Sequence, residues 1–282
     1  MFNSLNNVFT KRNLLEIKDH QQSKYLDQAL TEYQLPNIKN NFVANFNTAY
    51  QYLAKNYRNE YFIKNEMLNQ MVLAQGTKHA SAFRELPIDD CIADFIVNNT
   101  NSQRTQVFEI KTDLDTLKRL PNQIANYYHA FPFVNIITVN KHLPELKKHL
   151  PTNDLGIYLF DNDNHIKCLK SAKPHFDQIE YQSIFKILRK AEYEKIIFNY
   201  YHELPDIDAF HQYEYYYHMF KQIPLPLVQL QLEQRLKSRY LNIYPKDPGL
   251  MWQIPYCLRE VVYFANFSRL QVKKLIKILN RS

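Results

Sequence analysis

The chain has 282 residues, of which 45% are hydrophobic, 22% charged and 14% aromatic, a composition that builds a packed core and excludes a disordered chain. With only three glycines, Gly76, Gly156 and Gly249, it cannot form a glycine-rich phosphate loop, so any phosphate must be met by side chains or a metal. The formal charge of +7 favours a polyanionic partner, and three widely spaced cysteines without a CxxC argue against a disulfide framework or a zinc cluster and for a reducing cytoplasm. The opening MFNSLNNVFTKR lacks the order of a signal peptide, and no apolar run is long enough for a bilayer, so a cytoplasmic protein with no membrane partner is expected.

From Lys11 to about Gln75 the periodicity predicts helices. One stretch starts at Leu14, Leu15 and Ile17, another runs through Tyr50, Leu53, Tyr57, Tyr61, Met67, Leu68, Met71 and Val72, and Pro36 separates them. After Gly76 come short apolar runs that predict strands at Ala82–Leu86, Ile92–Val97 and Gln106–Lys111, with the polar segment Asn98–Thr105 as a hairpin loop. A helix over Asp115–Ala130, a strand over Phe133–Val139, a helix over Pro144–Leu150 and a strand or hairpin over Gly156–Leu169 complete an α/β core.

Beyond residue 172 the strand signal fades, and Ile179–Tyr201, Ala209–Phe220, Leu227–Leu241 and Cys257–Asn280 read as helices punctuated by prolines. The expected organisation is an N-terminal helical segment over 1–59, a core over 60–172 and a helical C-terminal region over 173–282. His202, His211 and His218 lack metal-ligand spacing, and with the tyrosines at 213 and 215–217 they are expected to form a buried aromatic helix interface. The last helix is basic and amphipathic, with Lys273, Lys277 and Arg281 on one face. DNA recognition, a protein partner and homodimerisation all remain open for the C-terminal region.

Chemistry concentrates between residues 85 and 127. Strand side chains alternate, so Glu109 and Lys111 share a face while Phe108 and Ile110 take the other. Asp94 lies among Ile92, Ala93, Phe95 and Ile96, where a carboxylate is costly unless it is paired or holds a cation. If the two strands form a hairpin, Asp94 and Glu109 converge, and a hard cation such as Mg²⁺ suits two carboxylates with Lys111 beside an attacking water. Asp115, Arg119, Gln123 and Tyr127 follow at spacings of four as a polar stripe, with Pro121 either kinking the helix or opening a new one. Arg119 reads either as a phosphate contact or as the ion-pair partner of Asp115. Glu66, on the helix before the strands, has a candidate place at the same site.

Ala93-Asp94, Glu109-Ile-Lys111 and the helical Gln123-x-x-x-Tyr127 resemble the PD-(D/E)XK, or restriction-endonuclease-like, nuclease superfamily, and the Gln-x-x-x-Tyr element its RecB-like branch. The fuller run Asp115-x-Leu-x-Arg119-Leu-x-x-Gln123-x-x-x-Tyr127 is similar to a bacterial and phage branch of that superfamily. The resemblance covers residues 60–140 and implies a mixed central sheet flanked by helices, an Mg²⁺- or Mn²⁺-dependent deoxyribonuclease activity and DNA as partner. It implies Asp94, Glu109, Lys111, Gln123 and Tyr127 as catalytic residues, and Asp94 and Glu109, with Glu66 and Glu85, around the metal. Ala93 stands where the superfamily name has proline. The alternative is a catalytically inactive nucleic-acid-binding or protein-interaction module on the same fold.

Overall fold

The computed structural model describes residues 3–76, 79–99, 104–148, 152–243 and 248–281. The chain opens with helices α1 (Asn3–Val8), α2 (Lys11–His20), α3 (Lys24–Glu32), α4 (Phe42–Asn56) and α5 (Glu60–Met67). Side-chain caps start four of them: Thr10, Ser23, Asn41 and Asn59 accept the amides of Asn13, Leu26, Ala44 and Phe62, and each takes up an amide that has no partner inside its helix. Pro36 lies between α3 and α4, as the sequence suggests. A π-helical turn (Leu68–Val72) and a 3-10 turn (Leu73–Gln75) extend α5 up to Gly76, whose φ of 84° suits a residue without Cβ.

Strands β1 (Ala80–Ile88), β2 (Cys91–Asn99) and β3 (Arg104–Lys111) follow, then α6 (Leu120–Tyr128), β4 (Phe133–Thr138), α7 (Leu143–Lys148), β5 (Gly156–Phe160) and β6 (Ile166–Lys170). The remaining helices are α8 (Tyr181–Ile187), α9 (Lys190–Tyr201), α10 (Gln212–Phe220), α11 (Leu225–Ile243), α12 (Pro248–Trp252), α13 (Arg259–Phe264) and α14 (Arg269–Leu279).

The six strands form one mixed sheet in sequence order. β1, β2 and β3 are antiparallel neighbours, whereas β4 runs parallel to β3 and β5 parallel to β4. α6 makes the crossover between β3 and β4, as a parallel pair requires. The mixed sheet flanked by helices agrees with the expected α/β class.

Local departures from the sequence reading have physical causes. Asn98 and Thr105 belong to the ladder rather than to a loop, since they pair with each other, are buried, and are linked by a 3.3 Å side-chain hydrogen bond. The rest of the expected loop, residues 100–103, lies outside the described residues, as do His149 and Leu150 of the expected helix over 144–150. Pro121 sits in the first turn of α6, so the helix expected from Asp115 starts at Leu120 and the polar stripe keeps only Gln123 and Tyr127 on one helix. The helix expected over 179–201 breaks at Leu188 and Arg189, which are extended, with the Arg189 amide donating to the Glu192 carboxylate at 2.7 Å. The helix expected over 257–280 breaks at Asn266, which has a φ of 54°, and restarts with Ser268 and Gln271 as a capping box.

Contacts group the chain into two compact units. The first comprises residues 1–77, 160–166 and 242–282, and the second 78–159 and 167–241. In the first, α2 packs on α14 and α5 on α13, burying Leu14, Ile17, Phe62, Val261, Leu275 and Leu279. In the second, Ile96, Val107, Val134 and Ile136 of the sheet meet Leu120, Ile124, Tyr127 and Tyr128 of α6, and the same core continues through Phe185, Ile197, Tyr216, Phe220, Val228 and Leu232. The expected aromatic interface therefore holds for Tyr216. It does not hold for His211 and His218, which are exposed beside Asp208 and Glu214, nor for His202, the exposed left-handed residue that ends α9.

Candidate active site

The site is built where β2, β3 and α6 meet in the second unit. The β2–β3 ladder ends at Phe95 and Phe108, so Asp94 and Glu109 are the next residues on the two strands, and both carboxylates act on the Tyr127 phenol. Asp94 is half-buried, and its Oδ2 accepts the amide of Ile110 at 2.8 Å, which ties the carboxylate to the β3 backbone. The neighbouring strand position is not apolar cover, because Ile92 is 57% exposed.

Glu109 and Lys111 share a strand face, and both are buried, at 2% and 4% exposure. The Lys111 ammonium donates to Glu109 Oε1 at 2.7 Å and to Gln123 Oε1 at 2.8 Å. The Tyr127 hydroxyl donates to Glu109 Oε2 at 2.5 Å and lies 2.9 Å from the carbonyl oxygen of Ile92. Gln123 and Tyr127 are one helical turn apart, so both reach the sheet from the same side of α6.

The electrostatics follow from burial. Burial first, then the carboxylates of Glu109 and Asp94, push the Tyr127 phenol far above its ordinary range, which favours the protonated, donating form. Burial and then Glu109 likewise raise the Cys91 thiol. Two carboxylates against one ammonium leave a net negative locus suited to a hard cation, and oxygen donors are the chemistry that Mg²⁺ or Mn²⁺ takes.

The remaining sequence candidates fall as follows. Glu85 is exposed on β1, at the register position across from Asp94 and between the pairs Arg84–Phe95 and Leu86–Ala93. Its φ of 55° is left-handed in mid-strand, a conformation that costs a non-glycine residue on the order of 1–3 kcal/mol and clusters at functional sites. Glu66 belongs to the first unit, where its oxygens accept from the hydroxyls of Tyr50 at 2.7 Å and Tyr256 at 2.6 Å and from the Gln70 amide at 2.8 Å. Asp115 turns back to accept the amide and hydroxyl of Thr112 at 2.8 and 2.7 Å, so its partner is Thr112 rather than Arg119. Arg119 is exposed before α6, and its charge acts on Cys91.

Several supporting residues carry no sequence signal of their own. Asn126 accepts the Asp90 amide at 3.2 Å and donates to Asn122 O at 2.8 Å, which anchors α6 to the β1–β2 turn. His142 contacts the Thr112 carbonyl at 2.9 Å, fixing the backbone directly after Lys111. A Thr-x-x-Asp turn signature over 112–115 is the one cue that was available. Among the described residues, Asp161, Asp163 and His165 also bring potential metal-ligating atoms within 4.8 Å of one another. Their closeness is explained by a turn, in which Asp161 Oδ1 accepts the amides of Asp163 and His165 at 3.0 and 2.8 Å.

Fold and site together define a mixed α/β protein with a buried carboxylate–lysine–tyrosine cluster on its sheet. The chain belongs to the bacteriophage P4 protein cII family, whose profile matches residues 53–244 and thereby includes every residue of this cluster. Protein cII of Enterobacteria phage P4 is 30% identical over 98 residues, a segment that is 35% of this chain and 31% of that protein. The chain therefore matches about a third of the length of that curated relative. No solved structure matches it. Among the described residues, no helix is long and apolar enough to cross a membrane.

Proposed function

We propose that the second unit is a nuclease of the PD-(D/E)XK, restriction-endonuclease-like type that hydrolyses phosphodiester bonds in DNA with Mg²⁺ or Mn²⁺. The carrying observation is the convergence of Lys111 with Glu109, Gln123 and Tyr127, with Asp94 on the neighbouring strand, on an antiparallel β1–β2–β3 sheet followed by a crossover helix and parallel β4. Such an arrangement suits hydrolysis, which needs charge stabilisation at the phosphate and a positioned water.

Asp94 and Glu109 are the residues that would hold the cation, with Glu85 across the ladder as a further carboxylate. When bound, the cation supplies a Lewis acid and lowers the pKa of a water. The chain's own groups do the rest. Lys111, a buried ammonium fixed by two acceptors, orients the attacking water and offsets negative charge at the phosphate. Gln123 holds Lys111, and Tyr127 holds Glu109. The positive charge of the chain attracts the polyanion over distances limited by salt.

A second reading rests on one specific observation. Both oxygens of Glu109 are taken, by Lys111 and Tyr127, as they would be in a purely structural buried ion pair of an inactive binding module. Incubation with plasmid and linear DNA separates the two. The nuclease reading expects cleavage that requires Mg²⁺ or Mn²⁺ and stops with a chelator, while binding without metal-dependent cleavage under any condition supports the module.

A further inference from the structure

The first unit carries an exposed stack that the site above does not use. Trp252, at the end of α12, is the single tryptophan of the chain and is 53% exposed. The Arg259 guanidinium lies 4.7 Å from the centroid of its ring and 5.3 Å from that of Tyr256. Both partners are fixed from behind. Arg259 donates to Asn69 Oδ1 at 2.8 Å and to Ile254 O at 3.3 Å, and the Tyr256 hydroxyl donates to Glu66 at 2.6 Å. Asn69 itself lies on the π-helical turn, a feature frequent at functional positions. The outcome is a pre-ordered cation–π layer with a large aromatic side chain turned to solvent.

The segment of the chain that carries Arg259 is predominantly basic. From residue 259 onward the chain has Arg259, Arg269, Lys273, Lys274, Lys277 and Arg281 against a single acid, Glu260, and Glu260 is wholly buried. Lys274 reaches Asp19 at 3.7 Å, while Arg269, Lys273, Lys277 and Arg281 are exposed. An apolar peptide gains nothing from such a field. A nucleic acid gains twice, through its phosphates and through the π-face of its bases. A duplex keeps its base faces stacked inside, so only an unpaired strand presents one.

We propose that the Trp252–Arg259–Tyr256 stack is a base-stacking subsite for single-stranded nucleic acid. A base lies on the outer face of Trp252, and Arg259 together with the exposed basic residues of α14 in the same unit attracts the phosphate backbone. The proposal takes its ligand class from the nucleic-acid reading above, but it concerns binding without metal and does not depend on the chemistry at Lys111.

The single tryptophan makes the test direct. The full chain is titrated in chelator with an oligothymidine of ~20 nucleotides and separately with a duplex of the same length, following Trp252 emission. The expected result is saturable quenching by the single strand that weakens as salt rises, without the same response to duplex. Anisotropy of the labelled oligothymidine then compares variants: Trp252→Ala weakens binding about 5- to 100-fold, whereas Trp252→Phe, which keeps an aromatic face, retains most of it. Unchanged emission with single strand, equal quenching by duplex, or wild-type binding by Trp252→Ala overturns the proposal. Because cleavage is disabled in chelator, quenching in a protein that never cleaves DNA defeats only the nuclease reading, and cleavage without quenching defeats only this one.

Discussion

Replacing Tyr127 by phenylalanine removes one oxygen from a position with no solvent exposure and leaves the packing of the ring intact. Glu109 Oε2 loses its donor at 2.5 Å, and the Ile92 carbonyl loses a polar neighbour at 2.9 Å. A hydrogen bond to a charged group contributes roughly 1.5–3 kcal/mol, and leaving a buried acceptor unpaired carries a cost of similar size. Tyr127→Phe is therefore expected to lower the stability of the second unit by about 2–3 kcal/mol. The loss should be the same across neutral and mildly alkaline pH, because burial and the nearby carboxylates hold the phenol protonated. Urea unfolding followed by circular dichroism measures it as a change in midpoint at constant slope. A loss below about 0.5 kcal/mol, or one that disappears with rising pH, would refute the view that this hydroxyl anchors Glu109.

Other perturbations bear on the same frame. Lys111→Met leaves the buried Glu109 carboxylate without its ion-pair partner and should cost about 3–5 kcal/mol, with partial recovery in the double variant carrying Glu109→Gln; additive losses in a double-mutant cycle would contradict the coupling. Burial pushes the Glu233 carboxyl up to about 7 against the pull of the Thr105 backbone. The folded state therefore holds a proton that the unfolded state has released between the ordinary carboxylate range and about pH 7, so stability falls as pH rises through that window. Glu233→Gln should flatten this part of the stability-against-pH curve and gain over wild type above neutral pH, and superimposable curves would rule the effect out. A Cβ at Gly156 would meet Asn135 Oδ1 at 2.0 Å and the Ala172 amide nitrogen at 2.9 Å, so Gly156→Ala should cost about 1–3 kcal/mol in thermal or urea unfolding, and a neutral result would show that the β4–β5 pair can yield.

The sequence carries the sheet well because strand signals are local. Short apolar runs at Ile92–Val97 and Gln106–Lys111, with turn formers at their ends, mark β2 and β3, and the spacing of two between Glu109 and Lys111 already puts both on one face. Helix ends were less legible where they depend on one residue's backbone. Asn266 at positive φ and the extended Leu188–Arg189 pair split helices whose apolar period runs straight through. Pro121 offered both a kink and a start, and the fold uses it as a start.

Within the site, the partners of Lys111 follow from residues that the motif names, but the roles of backbone groups do not. Nothing in the residue pattern shows that Asp94 takes the Ile110 amide or that Tyr127 reaches the carbonyl of Ile92. Glu66 illustrates the limit of spacing arguments. Its helix forms, but instead of presenting one face to solvent it is buried all round from Phe62 to Met67, and its carboxylate is occupied by Tyr50, Gln70 and Tyr256, the last of them 190 residues away in sequence.

The central claim is that Asp94, Glu109 and Lys111 form a hydrolytic centre, and the rate of DNA cleavage by wild type and Lys111→Ala, side by side in Mn²⁺ and with folding verified by circular dichroism, tests it most directly. The account predicts metal-dependent cleavage by wild type and a loss of at least about 100-fold in the folded variant. Cleavage by the variant at the wild-type rate, or wild-type protein that binds DNA and never cuts it in any divalent metal, would contradict it.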